Sequence, residues 1–124
     1  GPVYAGNNSA NFATTSDRRI KKNIEDNNTG LDAISQVRVR NFEYRTADEI
    51  DELPVSAAID KQGVQLGVIA QEIQEILPDV VREETTGCLS VDPENMTWYL
   101  INAVKELKTE LDAAKDRIAT LEAK

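Results

Sequence analysis

The chain has 124 residues, the size of one domain at about 100–200 residues each, with 40% hydrophobic and 29% charged residues. A net charge of −8 speaks against a nucleic-acid or anionic-membrane surface, and no apolar run approaches the ~20 residues of a membrane-spanning helix. With no His and one cysteine, Cys88, the sequence lacks the usual zinc ligands, an intramolecular disulfide and any His-dependent triad, so neither a metal nor a cofactor is expected.

Residues 1–15 carry no charge and are rich in Gly, Ala, Asn, Ser and Thr. The opening Gly, with Met96 the sole Met, reads as a fragment or processed product, and Gly1-Pro2 as a tag-removal scar. The composition changes abruptly at Ser16, which is followed by Arg18, Arg19, Lys21 and Lys22. Three segments are expected: 1–15 as a tag remnant or the end of a preceding segment, 16–92 as a globular body, and 93–124 as a helix. Most of the excess acid lies in residues 43–84, which hold 11 acidic and 3 basic groups. Asp48, Glu49, Asp51 and Glu52 before Pro54 read as a solvated loop, because adjacent acids without a spaced Asp/Asn-Gly pattern do not form a calcium cage.

Gly30 precedes Leu31, Ile34 and Val37, which share helical spacing. Val39 to Tyr44 reads as a strand, and Gln62-Gly63 as a turn before a second strand, Val64 to Ile69. Ala70 to Leu77 reads as a helix with Ile73, Ile76 and Leu77 on one face, stopped by Pro78. Val80-Val81 and Leu89-Ser90-Val91 flank a Thr86-Gly87 turn and suggest a hairpin. Aromatics are only 5% of the chain, so the core must be aliphatic.

The last segment carries the clearest pattern. Asp92 suits an N-cap, Pro93 the first helical position, and no Gly or Pro follows. Leu100, Val104, Leu107, Leu111, Ala114, Ile118 and Leu121 step by four and three, placing Val104, Leu111 and Ile118 at a and the rest at d. Glu110 and Lys115, and Arg117 and Glu122, occupy g and the following e, as a parallel arrangement needs. A helix of about 30 residues would be ~45 Å long, more than the body can cover, so part of the stripe must meet another chain. The a and d residues do not decide between two and three strands. Trp98 and Tyr99 fall within this helix, where packing is the expected role. The fold class read from these patterns is α+β: a small mixed body of short strands and helices, followed by a long C-terminal helix forming a parallel coiled coil.

Ser16-Asp17-Arg18-Arg19-Ile20-Lys21 is the one cluster able to carry catalysis. A serine can act as nucleophile when a neutral amine accepts its proton, which requires a lysine shifted well below ~10.4 by burial or neighbouring cations. Arg18, Arg19 and Lys22 are such cations. Positions five apart lie about 140° apart on a helix and on opposite faces of a strand, so Ser16 and Lys21 meet only across a turn or in a packed assembly. The alternative is that Ser16 caps a short helix, with Asp17 in its first turn and Ile20 and Ile24 facing inward.

Ser16-Asp17-Arg18-Arg19-Ile20-Lys21-Lys22-Asn23-Ile24 resembles the start of the self-cleaving intramolecular chaperone domain of phage tail fibres and tailspikes, the endosialidase-type chaperone classed as peptidase family S74. All five fixed positions of its S-D-x-R-x-K-x-x-I pattern are present. Gly67-Val68-Ile69-Ala70-Gln71-Glu72, running to Pro78, resembles its second motif, and Leu89-Ser90-Val91-Asp92 before the long helix its third. The resemblance covers residues 16–124. It implies a homotrimer, hence a three-stranded coiled coil, that assists folding of an upstream fibre or spike domain and then cuts itself off at Thr15–Ser16. It implies Ser16 as nucleophile and Lys21 as general base, with residues 1–15 ending the fibre stalk. No nucleic-acid or membrane partner is implied. The implied setting is the host-cell cytoplasm during virion assembly, with the chaperone released from the mature fibre. Related self-cleaving domains occur in membrane-bound transcription factors of animals, but nothing in this sequence resembles a DNA-binding or transmembrane segment, so a phage source is expected. Two other readings stay open: a trimerisation cap that never cleaves, and a receptor- or glycan-binding tip, the latter weakened by the scarcity of aromatics.

Overall fold

The structure, a computed structural model, describes residues 13–124. Most of the expected 1–15 segment therefore lies outside the described residues, and residues 13–15 are exposed and without regular structure. The elements in chain order are α1 (Leu31–Ile34), β1 (Arg40–Phe42), β2 (Gln65–Gly67), α2 (Ala70–Gln74), β3 (Val81–Glu83), β4 (Leu89–Val91) and α3 (Pro93–Glu122). Short 3-10 turns occupy Arg18–Ile20, Ala47–Glu49, Val55–Ala57 and Pro78–Val80. The expected mixed α+β body and long final helix are both present.

Two separate antiparallel ribbons form the β structure. In the first, Arg40 faces Gly67 and Phe42 faces Gln65. In the second, Val81 faces Val91 and Glu83 faces Leu89. The second is a tight hairpin: Gly87 takes φ +89°, a conformation open to glycine without a Cβ penalty, and its N–H donates to Glu84 O at 2.9 Å. Each strand is three residues, shorter than the spacing of β-branched residues suggests. In the first ribbon, residues 43–64 intervene between the strands with two 3-10 turns of their own, so no tight turn extends the register.

The helices differ from expectation in length for similar reasons. After Ile34 the backbone tightens, with Gln36 N–H donating to Ala33 O and Val37 N–H to Ile34 O, both at 3.1 Å. In α2 the amides of Ile76 and Leu77 both close on Ile73 O, at 3.0 and 2.7 Å, before Pro78 ends the run. The apolar faces still meet: Ile73, Leu77 and Val80 are buried together, with Ile34, Val37, Ile76, Val81, Val91 and Tyr99 packed around them. Ala103 of α3 is the fourth buried hydrophobic residue among those described.

That core is small, and α3 shows why. Asp92 caps it by accepting from Glu94 N–H at 3.0 Å, with Pro93 at the first position. Its outer face packs inward: Tyr99 O–H donates to Asp79, Ala103 is buried, and Asn102 and Glu106 reach residues 27–31. Its other side is bare. Leu100, Val104, Leu107, Leu111, Ala114, Ile118 and Leu121 are all exposed in the single chain, Val104 at 63%. Trp98 is exposed as well, whereas Tyr99 packs as expected. Among the described residues no helix is long and apolar enough to cross a membrane.

Gly30 makes the closest approach in the body. A Cβ there would lie 2.5 Å from Glu106 Oε1, 2.9 Å from Asn102 Cβ and 3.0 Å from Ala103 N. The glutamate can swing away; the α3 backbone cannot. Gly30→Ala is therefore expected to push α1 off α3 and lower stability by about 1–3 kcal/mol, read as a lower urea midpoint at unchanged slope.

Candidate functional site

The residues before α1 bring the Ser16 and Lys21 side chains together. Asp17 opens the turn: its Oδ1 accepts from Arg19 N–H at 2.8 Å. Ile20 N–H then donates to Asp17 O at 3.2 Å and Lys21 N–H to Arg18 O at 3.1 Å, closing a single 3-10 turn. Extended residues on either side carry Ser16 and Lys21 back toward each other, and Lys21 Nζ donates to Ser16 Oγ at 2.5 Å. The contact that helix and strand geometry forbid is thus made across a turn, within one chain. Asn23 follows with φ 54°, a left-handed conformation that Asn tolerates better than most residues.

The capping alternative needs correcting. The cap is Asp17, not Ser16, because the carboxylate takes the Arg19 amide while Ser16 Oγ is occupied by Lys21. Ile20 and Ile24 do not face inward; they are 67% and 58% exposed, since a three-residue turn at the edge of the body gives them nothing to pack against in one chain. The Arg19 guanidinium also holds Asp17, with Nη2 at 2.8 Å from Oδ2. This pairing, and then the Arg19 amide, keeps the Asp17 carboxyl below its ordinary range.

In this pair the Lys21 amine is the donor and the Ser16 hydroxyl the acceptor. A lysine that has lost one proton can accept from the same hydroxyl over the same distance, which is the polarity a general base needs. Ser16, Lys21 and Lys22 are all exposed in the isolated chain, as is Thr15. Among the described residues no group of three or more His, Cys, Asp or Glu could hold a metal ion.

Other parts of the expected motifs serve the scaffold. Glu72 is engaged with Arg40, whose Nε and Nη2 donate to its two carboxylate oxygens at 3.1 and 2.6 Å, tying α2 to β1. Gln71 is exposed. Periodicity gave no warning of Asn102, whose Nδ2 donates to Thr29 O at 2.8 Å and Asn27 O at 3.0 Å. Nor did it indicate Glu106, which accepts from Leu31 N–H at 3.4 Å. Both are polar positions on the side of α3 away from the heptad stripe, where a solvated role is the default reading.

The Peptidase S74 family profile, described as chaperone of endosialidase, matches residues 16–82, from the serine of the candidate pair through α2 and into the second ribbon. The chain belongs to this family, and a chaperone role follows from it at that level. Among curated proteins it is similar to Myelin gene regulatory factor-like A of Dictyostelium discoideum, at 28% identity over 100% of this chain. The chain spans only 14% of that relative's length.

The Arg40–Glu72 pair sets a pH expectation. Hydrogen bonds from Arg40, then the charges of Arg40 and Arg38, hold the Glu72 carboxyl below its ordinary range. A depressed folded value means the pair contributes above the unfolded carboxyl's ~4.3 and is lost as pH falls through the folded one. A carbon-detected NMR titration should place the Glu72 midpoint below ~4.3, and Arg40→Met should move it upward.

Proposed function

We propose that this chain is a self-releasing intramolecular chaperone: it trimerises through α3, assists an upstream fibre or spike domain of the same polypeptide, and then cleaves Thr15–Ser16. The observation that carries this reading is the 2.5 Å contact of Lys21 Nζ with Ser16 Oγ, beside the peptide bond that precedes Ser16. In the proposed reaction neutral Lys21 takes the Ser16 hydroxyl proton as Oγ attacks the Thr15 carbonyl carbon. The tetrahedral adduct collapses by breaking the C–N bond, the leaving nitrogen picks up a proton, and an ester joins Thr15 to Ser16 Oγ. Water then hydrolyses the ester, giving a Thr15 carboxylate and restoring the Ser16 hydroxyl. Direct attack of water on the same carbonyl, with Lys21 as base, gives the same products.

The bare α3 stripe supports the assembly step. Six large apolar side chains at its a and d positions are each about half exposed or more in a single chain, a surface that association can bury. Packing three subunits is also what can remove water from Lys21, so the cut reports that assembly has occurred. Separation of the chaperone then leaves the upstream part held by its unfolding barrier rather than by binding energy. The setting proposed for these steps is the host-cell cytoplasm during virion assembly. The match of this whole chain to 14% of a gene regulatory factor-like protein favours a second setting, in which the same module acts on a different upstream chain.

Mass spectrometry of the chain joined to its upstream segment should find a product beginning at Ser16, absent in Ser16→Ala. Lys21→Arg keeps the charge but cannot act as base at neutral pH, and should slow cutting about a hundredfold or more. Light scattering should give three times the subunit mass. Leu111→Asp should lose both the trimer and the cut with Ser16 and Lys21 in place. A stable trimer that never cuts is the outcome expected of a permanent cap.

A further inference from the structure

The hydrogen bonds of residues 16–26 among the described residues close within that segment: Asp17 with Arg19, Lys21 with Ser16, and the two backbone bonds of the turn. What ties the segment to the body is the stretch immediately after it. Asn102 Nδ2 faces three oxygen acceptors there, Thr29 O at 2.8 Å, Asn27 O at 3.0 Å and Asn27 Oδ1 at 3.3 Å. Asn27 Oδ1 in turn accepts from Thr29 N–H at 2.9 Å, which holds the turn in shape. Gly30, buried one residue on, lets this stretch lie directly against the α3 backbone.

Asn102 lies on the opposite side of α3 from the exposed stripe, two residues from Leu100 and two from Val104. One helical turn therefore carries association residues on one side and the anchor of the segment on the other. Lys21 is six residues from Asn27, a tether of at most ~20 Å. That tether bounds how far the Ser16–Lys21 pair can lie from its anchor on α3.

We propose that Asn102 is a positioning residue for the cleavage segment: by holding the Asn27 and Thr29 carbonyls to α3, it places Ser16 and Lys21 relative to the assembled helices. This rests on the cleavage reading above. The chemistry selects asparagine, because all three facing atoms are acceptors and a side chain of this size must present a donor. A carboxylate would be isosteric and would repel them.

The test uses the full chain with its upstream segment and two variants, Asn102→Ala and Asn102→Asp. Light scattering reads assembly, hydrogen exchange of residues 16–31 in a Ser16→Ala background reads anchoring, and mass spectrometry reads cutting. Anchoring by Asn102 predicts an unchanged trimer mass in at least one variant, with faster exchange in this stretch and cutting slowed about tenfold or more. Joining the two positions covalently, as Thr29→Cys with Asn102→Cys in a Cys88→Ser background, should restore cutting when oxidised and lose it when reduced. A trimeric Asn102→Asp with exchange and cutting within twofold of the parent overturns the proposal, as does loss of the trimer in both variants, which would make Asn102 an assembly residue. If the parent itself never cuts, the cleavage reading falls, and the exchange arm alone decides whether Asn102 anchors the segment.

Discussion

The contact on which the remaining geometry depends is the seating of residues 27–34 on the outer side of α3. It is made at the backbone level, where Gly30 admits the α3 main chain and Asn102 binds two carbonyls, so it fixes position more tightly than side-chain packing would. From there the chain runs one way into the Ser16–Lys21 turn and the other way into α1 and the core around Ile73. The helix is the frame, and both the Ser16–Lys21 turn and the folded body hang from one end of it.

The same helix explains why the body can be so slight. Four hydrophobic residues among those described are buried, fewer than a domain of this length needs to offset its conformational entropy alone. The apolar area it lacks is present, but on the wrong side of α3 for a monomer. In the proposed trimer, folding and association would be one equilibrium, and a chain without partners would sit near the margin of stability. Linking the proposed cleavage to that equilibrium would make the chemistry wait for structure.

Local patterns in the sequence located most of the elements, because their signals are local. Pro93 after Asp92, the glycine of the Thr86-Gly87 turn, and the spacing of Ile73, Ile76 and Leu77 each act within a few residues. The ends of the strands were less legible, since the first ribbon is closed by a long excursion rather than a tight turn. The Ser16–Lys21 contact was legible from the resemblance alone; periodicity argued against it, because a single 3-10 turn flanked by extended residues has no repeat. Asn102, Glu106 and the Arg40–Glu72 pair were out of reach, as each joins residues more than thirty positions apart through groups that look like ordinary surface.

The turn that brings the pair together also crowds charge. Arg18, Arg19, Lys21 and Lys22 lie within five residues, offset locally by Asp17 alone. Severing the preceding bond would turn the Ser16 nitrogen from a neutral amide into an amine largely protonated at neutral pH, adding one more cation to this knot. Re-ligation would require that amine to shed its proton first. The Thr15 carboxylate that the proposed cut would leave carries the opposite sign, so these cations would hold the two new ends close rather than drive them apart.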